Sequence, residues 1–389
     1  MRSVAVIGAS LAGLYTARAL RAEGFDGRLT IVGDEPHPPY DRPPLSKGFL
    51  TGATGPDQLA LADAEEIAEL DVTWLLGTRA TGLDTAAGAV LLEGGRSLTA
   101  DGVVIATGAT PRRLPGPAPA GTHTLRTLED ARALRADLVR GPSRVVVIGS
   151  GFIGAEVASS CAALGHEVTV VEAAPLPLLP QLGADMARIC AALHADHKVT
   201  LRTGAGVARL HGAGPDGRIT AVELTDGRQL PADTVVVGIG VRPQTDWLAA
   251  SGLPLDDGVV CDAGCVTPIP HIVAVGDVAK VSGNRAEHWT SATEQATVAA
   301  RNLLAGSTVT THRAPPYFWS DQYGVRLQFA GRRGPADTVR VLEGSPDDRS
   351  FLACYERNGT TTAVLALNRP RPFLRHRRAL ARTTPPATT

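Results

Sequence analysis

The sequence predicts an α/β chain with two nucleotide-binding layers and a small C-terminal α+β domain. The run Ser3-Val-Ala-Val-Ile-Gly8 is apolar and ends in glycine; helix formers follow from Leu11 to about Ala22, then a second apolar run at Leu29–Val32. The same order returns at Arg144–Gly149, a helical stretch to about Leu164, and Glu167–Val171. Strand, helix and strand in that order imply a parallel sheet covered on both faces, because the connection must cross over the sheet. After Pro315 the pattern changes to short strands with aromatics and glycine turns, which predicts the terminal domain.

Composition bounds the rest. A length of 389 residues suits two or three domains. A formal net charge of −1 argues against a general nucleic-acid binder, which needs a cationic excess. No apolar run approaches the roughly 20 residues of a membrane span. Met1-Arg2-Ser3 leads directly into a strand pattern without a signal-type apolar segment, and five scattered cysteines form no disulfide framework. Both point to a reducing cytoplasm. Only Lys47, Lys198 and Lys280 are lysines among 38 basic residues, so arginine is the default cation.

Further strands are expected at Gly102–Ala106, Thr234–Val237 and His271–Val275. The first two end in small-residue turns closed by proline, Ala106-Thr-Gly-Ala-Thr-Pro111 and Gly238-Ile-Gly-Val-Arg-Pro243, which read as matched hinges. Pro111 to Gly121 reads as a linker.

Gly8-Ala-Ser10-Leu-Ala12-Gly13 lies where a dinucleotide fingerprint belongs, between strand and helix. The first glycine permits the tight turn, and the helix N-terminus offers N–H groups to a pyrophosphate. Ser10 replaces the middle glycine, and Asp34 follows Gly13 by 21 residues, where a ribose acceptor is expected. Gly149-Ser-Gly151-Phe-Ile-Gly154 is a complete G-x-G-x-x-G. Glu172, 18 residues beyond Gly154, can accept ribose hydroxyls and repels a 2′-phosphate, and Ala173-Ala174-Pro175 supplies no arginine for one. The expectation is NADH over NADPH. Two such sites in one chain imply a flavin beside a nicotinamide.

A more specific signal is Val32-Gly-Asp-Glu-Pro-His-Pro-Pro-Tyr-Asp-Arg-Pro-Pro-Leu-Ser-Lys47. With Leu125-Arg-Thr-Leu-Glu-Asp130, Gly276-Asp-Val-Ala279, Glu287-His-Trp-Thr290 and Tyr317-Phe-Trp-Ser-Asp-Gln-Tyr323, it resembles the NADH-dependent ferredoxin reductases. These include the putidaredoxin reductase and Rieske dioxygenase reductase types. The resemblance runs from Val4 to about Arg378 and implies a glutathione-reductase-like architecture. An FAD domain would comprise residues 1–110 and 243–314, an NAD domain 111–242, an interface domain 315–380, and a disordered tail 381–389.

The resemblance also implies site residues. FAD would be held by Gly8, Ser10, Ala12 and Gly13, by Asp34 at the ribose, and by Arg42, Lys47, Ala80, Ala106 and Arg126. Asp277 would bond the ribityl chain and Trp289 would lie against the isoalloxazine. NADH would lie along Gly149, Gly151, Ile153, Gly154, Glu156, Glu172 and Gly240. Lys47, Glu156 and Trp319 are the candidate catalytic residues: Glu156 would pair with the lysine and orient the nicotinamide amide, and Trp319 would flank the rings. Each has a plainer reading. The less favoured alternatives are a surface lysine for Lys47, a strand-end cap for Asp277, an ordinary helix residue for Glu156 and a core anchor for Trp319.

The cysteines narrow the chemistry. The stretch Asp34 to Gly52, where related disulfide reductases and peroxidases carry reactive cysteines, has none. Cys161 and Cys190 sit in helical patterns, Cys261 and Cys265 form C-x3-C, and Cys354 stands alone, so no metal site is assigned. A flavin without a thiol relay must pass electrons outward directly, which suits an iron–sulfur ferredoxin, [2Fe–2S] or related, serving a cytochrome P450 or a Rieske oxygenase. Residues after Glu356 carry seven arginines and no acid, so the tail is +7 and the remainder −8. Arg369, Arg371, Arg375, Arg377 and Arg378 are the candidate docking cluster for an acidic ferredoxin; a solvated basic helix face is the plain alternative. Other acceptors fit the same flavin site: rubredoxin, or a quinone or O2. A redox-sensing flavoprotein acting by partner binding is the reading from another class.

Overall fold

Val4–Ile7 and Val145–Ile148, the apolar runs ahead of the two glycine turns, are fully buried central strands, as expected for parallel strands covered on both faces. The computed structural model describes residues 1–214, 217–312 and 314–383. The first sheet has five parallel strands in the order Ile272–Ala274, Gly102–Ile105, Ser3–Ile7, Arg28–Val32 and Val72–Leu75. The second repeats it with Thr122–His123, Thr234–Val237, Arg144–Ile148, Glu167–Glu172 and Thr200–Thr203. Strand order reverses at the central strand of each, so each glycine turn lies at a topological switch point.

The likeness extends to what the sequence pattern did not reveal. The edge strands Val72–Leu75 and Thr200–Thr203 are each followed by a three-stranded antiparallel excursion, Ala80–Thr99 in the first and Val207–Pro231 in the second. The two expected hinges meet. Ala109–Pro111 and Val241–Pro243 pair antiparallel, so the chain leaves the first sheet and returns to it along one two-stranded ribbon.

The helices Leu11–Ala22 and Trp289–Ala305 pack against each other and the first sheet. The C-terminal sheet is antiparallel, in the order Tyr317–Gln322, Val325–Gly331, Thr360–Leu367, Ser350–Arg357 and Thr338–Ser345. Three of its strands run to eight residues, longer than the expected short strands, because Phe351–Tyr355 and Ala363–Leu367 are buried without interruption. Phe329, Phe351 and Tyr355 share a core with Leu182, Met186 and Leu193 of the helix Leu179–Asp196, joining this sheet to the second one.

One expectation is corrected. The last helix spans Pro370–Thr383, so residues 381–383 are helical rather than disordered; residues 384–389 lie outside the described ones. Phe373 and Leu380, two turns apart, anchor it, and the following Ala381 and Arg382 are good helix formers. No helix among the described residues is long and apolar enough to cross a membrane.

Candidate functional site

The two glycine turns are built alike. Gly8 and Gly149 have φ of +128° and +97°, and a Cβ on either would lie 2.1 and 2.3 Å from the carbonyl oxygens of Ala106 and Gly238. A Cβ on Gly13 or Gly154 would lie 1.9 or 2.0 Å from the Gly8 or Gly149 oxygen. These four glycines are therefore required by the fold itself. Gly151 is different: a Cβ there would meet nothing within 4 Å, so its small size leaves room for something outside the chain. The helices Leu11–Ala22 and Phe152–Ala163 begin at Ser10 and Gly151 with no side-chain cap. Their first N–H groups stay available to an anion, which fits a pyrophosphate at each turn.

Around the first turn the expected residues converge. Arg42 donates to Ser10 Oγ at 3.3 Å, to the Arg126 carbonyl at 2.6 Å and to Glu35 at 2.6 Å. Asp277 accepts from Arg126 at 2.8 Å. A Cβ on Gly276 would sit 3.1 Å from that of Ala12, so the Asp277 turn lies directly over the start of the first helix. Asp34 is exposed beside Arg79 at 3.5 Å. Ala80 begins a strand after the 77–79 turn, whose Gly77 and Thr78 N–H groups donate to the Glu35 and Gly33 carbonyls.

Around the second turn, Glu172 accepts from the Ser150 N–H and Oγ and from the Ala174 N–H. Ile153 is largely exposed on the first helical turn, and Gly240, at φ +92°, accepts from the Arg112 N–H. Lys280, on the strand after the Asp277 turn, pairs with Asp256 at 2.5 Å.

A partly buried ion pair joins the segment after Arg42 to the helix that follows the second turn. Lys47 Nζ and Glu156 Oε2 are 2.6 Å apart, with the Glu156 side chain 3% exposed. Lys47 follows a 3-10 turn at Pro43–Ser46 that points it at the helix carrying Glu156, and its ammonium also donates to the Pro43 carbonyl. Such a pair is stable only with its remaining hydrogen bonds satisfied. Sequence reasoning singled out neither hydroxyl that does so, Ser46 and Ser320. Both lie inside the quoted motifs, but only the fold brings them to one carboxylate.

Aromatic rings wall the space beside the pair. Trp289 meets Tyr15 and Trp319 edge-on at 5.8 and 6.3 Å, and Trp319 stacks on Tyr317 at 5.9 Å. Phe318 contacts Phe152 and His288 at 4.5 and 5.1 Å. The Trp289 indole N–H donates to Asp41, whose carboxyl is pushed up by burial against the pull of that bond and the Lys47 charge. The Arg377 guanidinium lies 4.1 Å over the Tyr317 ring, so the basic C-terminal helix adjoins this wall. All five cysteines are free and buried, and the described residues hold no metal-binding cluster.

The chain matches the pyridine nucleotide-disulphide oxidoreductase family over residues 2–296 and the reductase C-terminal family over 317–389. Rhodocoxin reductase of Rhodococcus erythropolis is 38% identical, covering 98% of this chain and 90% of that protein. The benzene 1,2-dioxygenase system ferredoxin–NAD(+) reductase subunit of Pseudomonas putida is 37% identical, covering 95% and 90%. The crystal structure of the covalent putidaredoxin reductase–putidaredoxin complex aligns with a TM-score of 0.93 at 34% identity, covering 98% of this chain and 93% of that one. The chain thus belongs to the pyridine nucleotide-disulphide oxidoreductase family, among its FAD-containing, NAD(P)H-dependent ferredoxin reductases.

Proposed function

We propose that this chain takes electrons from NADH and delivers them one at a time to an iron–sulfur ferredoxin that serves an oxygenase of the P450 or Rieske class. The observation that carries it is the Lys47–Glu156 pair, which joins the segment after Arg42 to the helix that follows the second turn, with every cysteine buried. Bound FAD supplies the step from hydride to single electrons.

The chain's own groups divide the work. FAD is assigned to residues 1–110 and 243–314 and NADH to 111–242; the paired ribbon at the crossings supports that division. Arg42, Arg126 and Asp277 ring the first turn and hold the flavin nucleotide. Lys47 holds a positive charge where reduction builds negative charge. Glu156 fixes that lysine, and Trp319 and Trp289 keep water from the rings. Glu172 accepts the ribose hydroxyls of NADH and opposes a 2′-phosphate.

Docking falls to the basic helix, with unequal parts for its arginines. Arg371 and Arg378 are exposed, and among the described residues neither has an acidic partner. Arg375 pairs with Glu343, Arg377 is tucked over Tyr317, and Arg369 is partly buried. Steering of an acidic ferredoxin therefore rests mainly on Arg371 and Arg378. A cytoplasmic location is supported by five unpaired cysteines.

Stopped-flow mixing tests the reading: NADH bleaches the flavin absorbance, and the reduced enzyme then meets a [2Fe–2S] ferredoxin. Fast ferredoxin-coupled cytochrome c reduction with slow direct O2 consumption is expected. Faster transfer to O2 or a quinone than to any ferredoxin overturns it.

A further inference from the structure

Glu156 is a buried carboxylate with donors from two distant parts of the chain. Its Oε2 accepts Ser46 Oγ at 2.5 Å and Lys47 Nζ at 2.6 Å. Its Oε1 accepts Ser320 Oγ at 2.8 Å and the Asp321 N–H at 3.3 Å. A carboxylate has about four lone-pair sites, so this one is full. Ser46 and Ser320 are 2% and 0% exposed, so neither hydroxyl can turn to water instead.

The two sides of the carboxylate are not held alike. Ser46 is fixed twice to the helix Phe152–Ala163, because its carbonyl also accepts from Ser160 Oγ at 2.7 Å. The Oε2 side is therefore rigid. On the Oε1 side the Asp321 contact is long, and Ser320 is the one well-placed donor. Ser320 lies on the strand Tyr317–Gln322, one residue from Trp319, in the same sheet that carries the basic helix.

We propose that Ser320 is a positioning residue for Lys47, acting through Glu156. The C-terminal sheet is then part of the redox centre as well as a support for docking. Without the Ser320 hydroxyl, Oε1 loses its short bond, and the carboxylate turns its charge toward Lys47. The ammonium is neutralised more completely, so less positive field reaches the flavin. The inference rests on the reading of Lys47 as the flavin-facing cation.

The test uses FAD-loaded enzyme and measures first the equilibrium between flavin and a reference dye, with neither NADH nor ferredoxin present. In Ser320→Ala this equilibrium is expected to move toward oxidised enzyme by about tenfold, the size of one lost hydrogen bond to a buried charge. The rate of flavin bleaching by NADH falls with it, and the KM for NADH stays near wild type. Ser320→Thr, which keeps the hydroxyl, restores both. Should the alanine variant fail to fold, Ser320→Cys keeps the volume with a weaker donor and is expected to shift the dye equilibrium in the same direction. An unmoved dye equilibrium in the folded Ala or Cys variant, with a moved one in Lys47→Met, overturns the role of Ser320 alone. If Lys47→Met leaves the equilibrium unmoved, the reading of Lys47 fails and the inference falls with it.

Discussion

Ser150 gives both its hydroxyl and its N–H to one oxygen of Glu172, at 2.6 and 2.9 Å, across 22 residues of sequence. The middle of the second glycine turn is thereby tied to the carboxylate that ends the neighbouring strand. These bonds, with that from the Ala174 N–H, hold the Glu172 carboxylate in one orientation at the end of its strand.

Nucleotide preference follows from that placement. The wild type is expected to use NADH with a kcat/KM at least roughly tenfold above that for NADPH, because a 2′-phosphate would meet an anion and the following Ala173-Ala174-Pro175 supplies no arginine. Glu172→Gln keeps an acceptor for Ser150 and removes the charge, so it should narrow the ratio mainly through KM. Steady-state kinetics with both nucleotides checks this. Equal use of the two by the wild type would remove the role assigned to Glu172.

Docking on the basic helix predicts a selective defect. Arg371→Gln combined with Arg378→Gln should lower kcat/KM for ferredoxin several-fold and flatten its dependence on salt, since steering by exposed charges is screened. Reduction of ferricyanide by NADH should be unchanged, because neither residue reaches the ring wall. Arg375→Gln, which breaks a pair with Glu343, should matter less.

The buried cysteines predict resistance to thiol reagents. Burial pushes the thiols of Cys161, Cys190 and Cys261 up to about 12 and that of Cys354 to about 11, and holds Cys265 well above its usual value. At neutral pH the reactive thiolate is scarce in each. Iodoacetamide should leave the native enzyme unlabelled and active, while five alkylations appear by mass spectrometry after unfolding. Rapid inactivation by one alkylation would reinstate a thiol step.

The turns and strands around the nucleotides were legible because local rules govern them: Gly8, Gly13, Gly149 and Gly154 are demanded by backbone contacts within a few residues or one strand away. The partners of Glu156 were not, since Ser46 and Ser320 lie 110 and 164 residues from it. Nothing in the spacing of two serines marks them as ligands of one carboxylate. The antiparallel excursions escaped for another reason: strands such as Val207–Ala213 are half exposed and lack a clean apolar run. Composition was similarly blunt about the basic tail, where five arginines read as one patch and the fold divides them between exposed, paired and packed.

His194 predicts a component of acid sensitivity. Its Nδ1 is hydrogen-bonded to the Tyr323 hydroxyl at 2.8 Å, and burial lowers its pKa from 6.5 to about 4. The folded state therefore binds this proton less readily than the unfolded state does. Stability is whole above pH 6.5 and declines as pH falls toward 4, by about 2 kcal/mol at pH 5. Urea unfolding of wild type and His194→Gln at pH 7.5 and 5 should show a smaller acid loss in the variant. Equal losses would mean that His194 charges without cost.

Gly151 separates what the fold needs from what the ligand needs. Gly154→Ala would push a Cβ to 2.0 Å from the Gly149 oxygen, so the turn itself must distort. Gly151→Ala meets no protein atom within 4 Å and, with φ of −66°, requires no unusual backbone. The thermal midpoint of Gly151→Ala should therefore match wild type, and its FAD content should be full. Its KM for NADH should rise roughly tenfold or more, because a methyl forced into a filled contact costs roughly 1–3 kcal/mol. Unchanged KM in a folded Gly151→Ala enzyme would mean that the pyrophosphate does not pass over this residue.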